Sequence, residues 1–229
     1  MDVKTNIPLK SYTSMRLGGN ARFMAEINTP DEVPTLIQSA KRQNLEFFVL
    51  GGGSNTIARD EGYDGLILLM RITGFEKLAE DASSMTLRIG AGENWDSIVN
   101  KSVQLNLSGI EAMSAIPGTA GAAPVQNVGA YGQEIADTLI ELEAYDSQDE
   151  KFVTLLKEDC GFSYRDSIFR GSQTGRYIIT SITIKLSKSP LQPPFYEALQ
   201  KYFDDANTTI FTPQVIRDAV TAIRAEKLP

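Results

Sequence analysis

The stretch Leu-Glu-Phe-Phe-Val-Leu-Gly-Gly-Gly-Ser-Asn, residues 45–55, runs from an apolar strand directly into three glycines and two small polar residues. Glycines at the end of a strand let backbone amides approach phosphate oxygens, and the side chains of Ser54 and Asn55 add hydrogen-bond donors without bulk. We call residues 51–55 the first glycine segment. On these residues alone two interpretations are open, a tight turn and a phosphate-binding loop.

Two common nucleotide-binding motifs do not fit the first glycine segment. A Rossmann unit requires a third glycine at position 56, then a helix, and an acidic residue about 20 positions further on. Position 56 is Thr, a turn and a predicted strand at residues 65–70 follow, and the later positions hold Met70 and Arg71. A P-loop is excluded as well, because the sequence contains no Gly-Lys-Ser or Gly-Lys-Thr triplet.

A second stretch strengthens the ligand-binding interpretation. Residues 116–132, the second glycine segment, read Ile-Pro-Gly-Thr-Ala-Gly-Ala-Ala-Pro-Val-Gln-Asn-Val-Gly-Ala-Tyr-Gly and contain no charged residue. A long uncharged loop of small residues suits a backbone that lies against a bulky, partly apolar ligand, with Gln126 and Asn127 directing a few hydrogen bonds. The alternative is a buried crossover packed on the sheet.

The surrounding periodicity predicts alternating strands and helices. We expect helices opened by Thr29 and Pro30, by Asn94, and by Thr212 and Pro213. The first should bury one face, formed by Val33, Leu36, Ile37 and Ala40, and the last a face formed by Ile216, Ala219, Val220 and Ile223. Strands are predicted at residues 22–27, 45–50, 65–70, from about 85, at 139–145, 151–156 and 177–186. In the last strand one packed face is expected, formed by Ile178, Ile182, Ile184 and Leu186, with Thr183 and Lys185 on the other.

Composition limits the chemistry. The chain has 229 residues, of which 42% are hydrophobic and 22% charged, as in an ordinary soluble globular protein. It has no histidine and one cysteine, Cys160, which excludes histidine-based catalysis, histidine-ligated metals, an intrachain disulfide and a cysteine zinc cluster. We therefore expect no metal.

Charge and hydropathy limit the partners. The net charge of −7 argues against a nucleic-acid or anionic-membrane partner, so an anionic ligand has to be captured locally. No signal peptide or apolar run of membrane-spanning length is seen, and a cytoplasmic location is expected.

Five segments, in this order, resemble one family. They are residues 50–55 (Leu-Gly-Gly-Gly-Ser-Asn), 90–95 (Gly-Ala-Gly-Glu-Asn-Trp), 116–132, 164–169 (Tyr-Arg-Asp-Ser-Ile-Phe), and 223–224 with 227–229 (Ile-Arg and Lys-Leu-Pro). Together they are similar to the flavoprotein UDP-N-acetylenolpyruvoylglucosamine reductases (UDP-N-acetylmuramate dehydrogenases) of peptidoglycan synthesis.

The resemblance implies an α+β FAD-binding fold of the vanillyl-alcohol oxidase / p-cresol methylhydroxylase type. FAD would lie non-covalently between subdomain 1 (residues 1–70) and subdomain 2 (residues 71–220), and residues 221–229 would be a stub. It also implies that NADPH reduces the FAD, which reduces an enolpyruvyl ether on a UDP-sugar, a step in cell wall biogenesis, cell shape and cell division. Oligomeric state cannot be read from the sequence, and a monomer is expected.

The resemblance also implies site residues. The cofactor-binding positions are Gly51, Gly52, Gly53, Ser54, Asn55, Ile116, Pro117, Gly118, Gly121, Ala122, Ala123, Gln126, Asn127 and Gly129. The substrate-binding positions are Tyr131, Tyr164, Tyr196, Arg224 and Lys227.

Arg165 matches the family's catalytic arginine. Hydride addition to the alkene leaves negative charge that spreads into the adjacent carboxylate, and a guanidinium that stays protonated can fork onto it. The alternative for Arg165 is an ion pair with Asp166 or another carboxylate.

A polar stripe on the last helix is independent of the family. Arg217, Thr221, Arg224 and Lys227 recur at helical spacing and could hold a diphosphate. The alternative is a solvated face whose cations complement the helix dipole.

One part of the family pattern is absent from these 229 residues. In the family, Lys-Leu-Pro leads into a third, substrate-binding domain that supplies a serine proton donor and a late glutamate. Two possibilities follow: the reductase itself, given as a fragment, or an FAD-binding module without turnover. We expect the 229 residues to bind FAD and to reduce the substrate poorly or not at all.

Overall fold

The computed structural model describes residues 2–227, excluding the side chain of Lys227. Residues 228 and 229 of the predicted stub therefore lie outside the described part.

A four-stranded sheet forms the first layer. Its strands are β1 (Val3–Pro8), β2 (Asn20–Ile27), β3 (Phe47–Leu50) and β4 (Tyr63–Met70), in the order β1-β2-β4-β3. β1 runs antiparallel to β2, whereas β2 and β3 both pair in parallel with β4. The parallel pairing brings the first glycine segment, which follows β3, to the carboxyl end of the sheet.

Helix α1 (Glu32–Arg42) covers this sheet with the expected face of Val33, Leu36, Ile37 and Ala40. It begins two residues after the predicted start, because Thr29 and Pro30 lie in a turn. The Glu32 carboxylate accepts hydrogen bonds from the backbone N–H groups of Asn28 and Thr29.

A five-stranded antiparallel sheet forms the second layer. Its order is β10-β9-β11-β6-β5, built from β5 (Phe75–Glu80), β6 (Ser84–Gly90), β9 (Leu139–Asp146), β10 (Lys151–Leu156) and β11 (Tyr177–Ser187). Helix α2 (Trp95–Gln104) begins at the predicted cap, where Asn94 accepts a hydrogen bond from the backbone N–H of Ser97. The apolar residues of α2, of the second sheet and of part of the first sheet join one continuous core, and other residues of the first sheet, among them Met24, Ile67 and Leu69, form a separate cluster. The division of the chain into two subdomains after Met70 stays a proposal.

The predicted packed face of β11 is confirmed, since Ile178, Ile182, Ile184 and Leu186 are all buried, but the prediction that only this face is packed is wrong. Ile179, Ser181 and Thr183 are as buried as their neighbours, and Lys185 is the exposed residue of the strand. Two register shifts against β9 disturb the alternation of side chains. Moreover, the second glycine segment covers the start of the strand, where Tyr177 and Ile179 line a small cavity together with Gly121.

The rest of the second glycine segment leads into a short hairpin, β7 (Gly129–Ala130) and β8 (Gln133–Glu134), and then into α3 (Ile135–Thr138). Two further helices close the structure, α4 (Glu197–Asp205), which the sequence did not predict, and α5 (Pro213–Lys227). Both pack on a separate apolar cluster that includes the expected α5 face of Ile216, Ala219, Val220 and Ile223. Within residues 2–227, none of the helices combines the length and the apolar character that a membrane crossing requires.

Candidate cofactor-binding cleft

The two glycine segments line one cleft at the carboxyl end of β3. The cleft holds about 220 Å³. Its wall carries no charged side chain. The lining residues are Phe48, Val49, Gly51, Gly52, Gly53, Ser54, Asn55, Thr56, Trp95, Ile116, Pro117, Gly118, Thr119, Ala122, Ala123, Val125, Gln126 and Val128. Of the predicted cofactor positions, Gly121 lines a neighbouring cavity of about 110 Å³, which shares part of the wall.

The first glycine segment is shaped by close backbone contacts. Gly53 has φ +66°, and a Cβ there would lie 1.9 Å from the carbonyl oxygen of Tyr12. A Cβ on Gly51 would lie 2.6 Å from Oγ1 of Thr119. Glycine is thus required here by protein contacts as well as by any ligand.

The four consecutive backbone N–H groups of residues 52–55 donate no hydrogen bond to any acceptor among residues 2–227. Consecutive unpaired N–H groups at a loop form a site that attracts anions.

Two side-chain hydrogen bonds cross the cleft. Asn55 Nδ2 donates to Oε1 of Gln126 at 3.0 Å, and Ser54 Oγ donates to the carbonyl oxygen of Pro117 at 3.3 Å. The predicted polar residues are therefore brought together, and they hold the two glycine segments against each other.

The first turn of α2 fixes the start of the second glycine segment. The backbone N–H of Trp95 donates to the carbonyl of Gly118, and the Ala120 N–H donates to the carbonyl of Glu93. The carboxylate of Asp96 accepts from the N–H of Ala115 at 2.6 Å. The indole of Trp95 is buried, and its Nε1 donates to the carbonyl of Met113.

Residues 163–167 fix the other end of the second glycine segment. Asn127 Nδ2 donates to the carbonyl of Ser163 at 3.1 Å, and its Oδ1 accepts from the N–H of Ala136. Ser167 Oγ donates to the carbonyl of Val125 at 2.7 Å. The Asn127 side chain is fully buried, so it supports the loop from behind and does not face the cleft as we expected.

Arg165 belongs to the same set of contacts. Its Nη2 donates to the carbonyl of Gly129 at 2.6 Å, and its guanidinium lies 5.6 Å from the ring centroid of Tyr164. Within the described residues Arg165 forms no ion pair, so the alternative of a salt bridge with Asp166 is wrong. The guanidinium stays exposed beside the end of the second glycine segment.

The three tyrosines predicted at the substrate site fall in two places. Tyr131 and Tyr196 are in edge-to-face contact, with ring centroids 6.0 Å apart. Tyr164 is 86% exposed and contacts Arg165.

The structure reorganises the predicted stripe on α5. Arg217 donates to both carboxylate oxygens of Asp96, at 2.7 and 2.9 Å, so it is not free for a diphosphate. Arg224 is half-buried, and its Nε is without a hydrogen-bond partner among the described residues. The side chain of Lys227 lies outside the described residues.

Sequence reasoning missed Asp96 and part of the apolar wall, namely Phe48, Val49, Trp95, Val125 and Val128. Asp96 lies one residue beyond the segment 90–95 that carries the resemblance, and nothing local marks it as a contact of a residue 121 positions away. Hydrogen bonding from Arg217, opposed by burial and assisted by the Ala115 N–H, lowers the pKa of the Asp96 carboxyl.

A larger groove is chemically different from the cleft. It holds about 730 Å³ beside the first sheet, and its charged lining residues are Asp60, Glu61, Asp64 and Arg22, which pairs with Asp64. Three carboxylates against one arginine leave this groove negatively charged, which disfavours an anionic ligand there and favours the smaller, uncharged cleft as the binding site.

Comparison with known proteins fits this geometry. The family model described as "FAD binding domain" matches residues 21–155. The UDP-N-acetylenolpyruvoylglucosamine reductase of Amoebophilus asiaticus is 38% identical over the whole chain, which covers 67% of that protein. The reductase of Thermobifida fusca is 36% identical over 97% of the chain, which covers 62% of that protein.

Solved structures agree on the fold. The UDP-N-acetylenolpyruvylglucosamine reductase of Thermus caldophilus aligns with a TM-score of 0.70 at 23% identity, over 98% of this chain and 69% of that one. The 6-hydroxy-D-nicotine oxidase of Arthrobacter nicotinovorans aligns with a TM-score of 0.59 at 20% identity, over 82% of this chain and 42% of that one.

These similarities confirm the α+β FAD-binding fold of the vanillyl-alcohol oxidase type. The chain spans 67% of the length of the Amoebophilus asiaticus reductase and 62% of the length of the Thermobifida fusca reductase. By identity and coverage, the chain belongs to the family of UDP-N-acetylenolpyruvoylglucosamine reductases.

Proposed function

We propose that the chain is the FAD-binding part of a reductase that uses NADPH to convert UDP-N-acetylenolpyruvoylglucosamine to UDP-N-acetylmuramate. The observation that carries the proposal is the row of unpaired N–H groups at residues 52–55, which lies across the cleft from an uncharged, small-residue loop. The N–H groups suit the pyrophosphate of FAD, and the apolar wall suits its ring system.

The residues of the cleft fit FAD in two further respects. No lining carboxylate opposes the charge of a pyrophosphate, although the chain as a whole carries a net charge of −7. Cys160 is fully buried away from the cleft, and burial, with Asp159 nearby, raises the pKa of its thiol to about 12. A thiol of this kind is a poor nucleophile, which supports non-covalent binding.

Bound FAD would accept hydride from NADPH and pass it to the enolpyruvyl group. The contribution of this chain is to hold the cofactor and to place positive charge near the substrate. We assign the second task to Arg165, because its exposed guanidinium forms no ion pair with any residue that the structure describes and donates to the carbonyl of Gly129. In that position it would pair with the substrate carboxylate as negative charge develops there.

The UDP-sugar is assigned to the side of the cleft toward α4 and α5. Tyr131 and Tyr196 would contact the sugar nucleotide, Tyr164 would extend this surface, and Arg224 and Lys227 would bind the diphosphate. The unpartnered Nε of Arg224 supports this assignment, because a buried donor without an acceptor costs free energy until a ligand supplies one. This function belongs to cytoplasmic peptidoglycan synthesis, and we expect a monomer that binds neither nucleic acid nor membrane.

The proposal is tested by titrating the purified chain with FAD and following flavin fluorescence and absorbance. We expect saturable, non-covalent binding, in which acid precipitation releases all the flavin. Absence of flavin binding would contradict the proposal. NADPH oxidation with and without the enolpyruvyl substrate then separates the reductase from an FAD-binding module without turnover.

The role of Arg165 is tested in a longer family protein that carries this sequence. Arg165→Ala is expected to lower turnover by about a hundredfold and to leave flavin content unchanged, because the guanidinium acts on the substrate and not on FAD. Loss of flavin in this variant would show that Arg165 serves the loop and not the reaction.

A further inference from the structure

Asp96 joins three parts of the molecule that are distant in sequence. It lies in the first turn of α2, it accepts a hydrogen bond from Ala115 at the start of the second glycine segment, and it pairs with Arg217 of α5. Its Oδ1 accepts from both Ala115 and Arg217, so the two contacts share one atom.

Ala115, which donates its N–H to Asp96, has a strained backbone conformation, and this hydrogen bond stabilises that conformation. Ala115 has φ +58°, a left-handed conformation that is unfavourable for a residue with a Cβ. The next three residues, Ile116, Pro117 and Gly118, line the cleft. The carboxylate therefore helps to hold the backbone that leads into the cleft in the conformation seen in this structure.

The partner on the helix side leads toward the proposed diphosphate site. The side chain of Arg217 is only 15% exposed, and its forked pair with Asp96 fixes the second turn of α5 against α2. Arg224 lies two turns further along the same helix, with its Nε unpartnered among the described residues. A rotation or shift of α5 would move Arg224 directly.

We propose that Asp96 is a positioning residue that couples the cofactor-lining loop at residues 115–118 to the helix that carries Arg224. Ordering of that loop by a flavin holds the carboxylate in place, and the carboxylate in turn holds α5. The inference rests on the proposed function, since it takes the cleft as the flavin site and Arg224 as an anion-binding residue.

Four variants test the coupling, together with a control at a distant ion pair. Asp96→Ala removes both contacts, whereas Asp96→Asn keeps an oxygen for the Ala115 N–H and weakens the pair with Arg217. Arg217→Gln and the Asp96→Asn/Arg217→Gln double variant complete the set. The control is Glu150→Gln, which weakens the 2.6 Å pair between Glu150 and Lys41 of α1, neither of which lines the cleft or belongs to α5.

Dissociation constants are measured for FAD by fluorescence and for UDP, added to the flavin-loaded chain, by calorimetry. We expect Asp96→Ala to weaken FAD about tenfold and UDP about fivefold, because a charge-assisted contact to each side is lost. Asp96→Asn and Arg217→Gln should leave FAD within about twofold and weaken UDP about fivefold, with no further loss in the double variant. Glu150→Gln should change neither constant.

A further readout separates coupling from a general loss of stability. The shape of the flavin absorption band should change in Asp96→Ala and stay unchanged in Glu150→Gln, although both variants lose an ion pair. Amide hydrogen exchange should increase at residues 115–118 and 217–224 in Asp96→Ala, with or without a ligand.

The outcomes are distinguishable. If the wild-type chain binds no FAD, the proposed function fails, and the exchange data alone decide whether Asp96 couples the loop to α5. If wild type binds FAD and UDP, and Asp96→Ala matches it in both constants, the inference is overturned. If Asp96→Ala does not fold, unchanged UDP binding in Asp96→Asn and Arg217→Gln overturns it.

Discussion

The first glycine segment follows a strand, and its glycines pack closely against neighbouring residues because they have no side chains. The second glycine segment is held instead by hydrogen bonds to side chains from other parts of the chain. At residues 51–55 the close approaches are made to Tyr12 and Thr119, and the N–H groups of residues 52–55 stay unpaired among the described residues. The second segment is held by α2 at one end and by residues 163–167 at the other.

The difference indicates a division of labour between two segments of similar composition. A loop with free N–H groups can bind an anion only if its backbone does not move, and here close packing keeps it in place. A loop that presents an apolar wall needs its polar groups satisfied behind it, and the buried amide of Asn127 does this. Each of the following predictions changes one side of this comparison.

The largest effect is expected at Gly53, on the side of the free N–H groups. In Gly53→Ala the new Cβ would meet the Tyr12 carbonyl oxygen at 1.9 Å, so the backbone has to shift. We expect a loss of about 2–5 kcal/mol in the free energy of unfolding, together with loss of FAD binding. Urea unfolding of the flavin-free chain measures the first effect.

Gly175→Ala is the matched control for Gly53. Gly175 has φ +76°, close to the +66° of Gly53, but no atom within 4 Å of the added Cβ. It should cost only about 1 kcal/mol, the penalty of the left-handed conformation itself. Equal losses in the two variants would show that contact with Tyr12 does not determine the shape of the first glycine segment.

A somewhat smaller effect is expected at Asn127, in the second glycine segment. Asn127→Ala removes two buried hydrogen bonds and replaces a residue that tolerates its φ of +45°. The expected loss in unfolding free energy is about 2–3 kcal/mol. If urea unfolding shows no loss, while FAD affinity falls sharply, the amide faces the ligand and the division of labour is wrong.

The first glycine segment could be predicted because its evidence is contiguous: an apolar run followed directly by glycines. The same holds for α2, whose cap Asn94 and buried Trp95 are adjacent in sequence. β5 was missed because nearly all of its residues are exposed, so no apolar alternation marks it as a strand. Helix α4 was missed as well, although it buries Leu199 and Phe203, so a buried face favours prediction from local patterns but does not guarantee it.

The contacts that define the cleft could not be predicted in the same way. A polar residue in a glycine-rich loop gives no sign of the direction of its side chain, and Asn127 turned out to face inward while Asn55 is exposed. Arg217 was grouped with Arg224 by helical spacing, yet it pairs with Asp96, 121 residues away. Such pairings depend on the packing of distant elements, on which local spacing carries no information.

The pH dependence of stability tests the role of Asp96, which holds the start of the second glycine segment. Hydrogen bonds from Arg217, against the effect of burial, keep the pKa of Asp96 below the ordinary value of about 4. Its contribution to stability is therefore complete above about pH 4 and is lost as the pH falls through the lower, folded-state pKa. Urea unfolding at successive pH values should show a flatter acid slope in Asp96→Asn than in wild type.

A second carboxylate limits how flat that slope becomes. Asp146, paired with Arg176, has a pKa of about 2 and contributes acid sensitivity of the same sign in both proteins. An identical slope in wild type and Asp96→Asn would mean that Asp96 does not stabilise the folded chain through its charge.

The smallest effect on stability is expected at Asn55, where the first glycine segment contacts the second. Asn55→Ala removes an exposed hydrogen bond to Gln126, so the unfolding free energy should change by no more than about 0.5 kcal/mol. FAD affinity should nevertheless fall several-fold, because this bond holds the two segments at the spacing that a ligand between them requires. Gln43→Ala, which removes an exposed amide bonded to Ser39 in α1, should leave both quantities unchanged. If FAD binds Asn55→Ala as tightly as wild type, packing of the glycine backbones alone sets the width of the cleft, and the two segments are positioned independently.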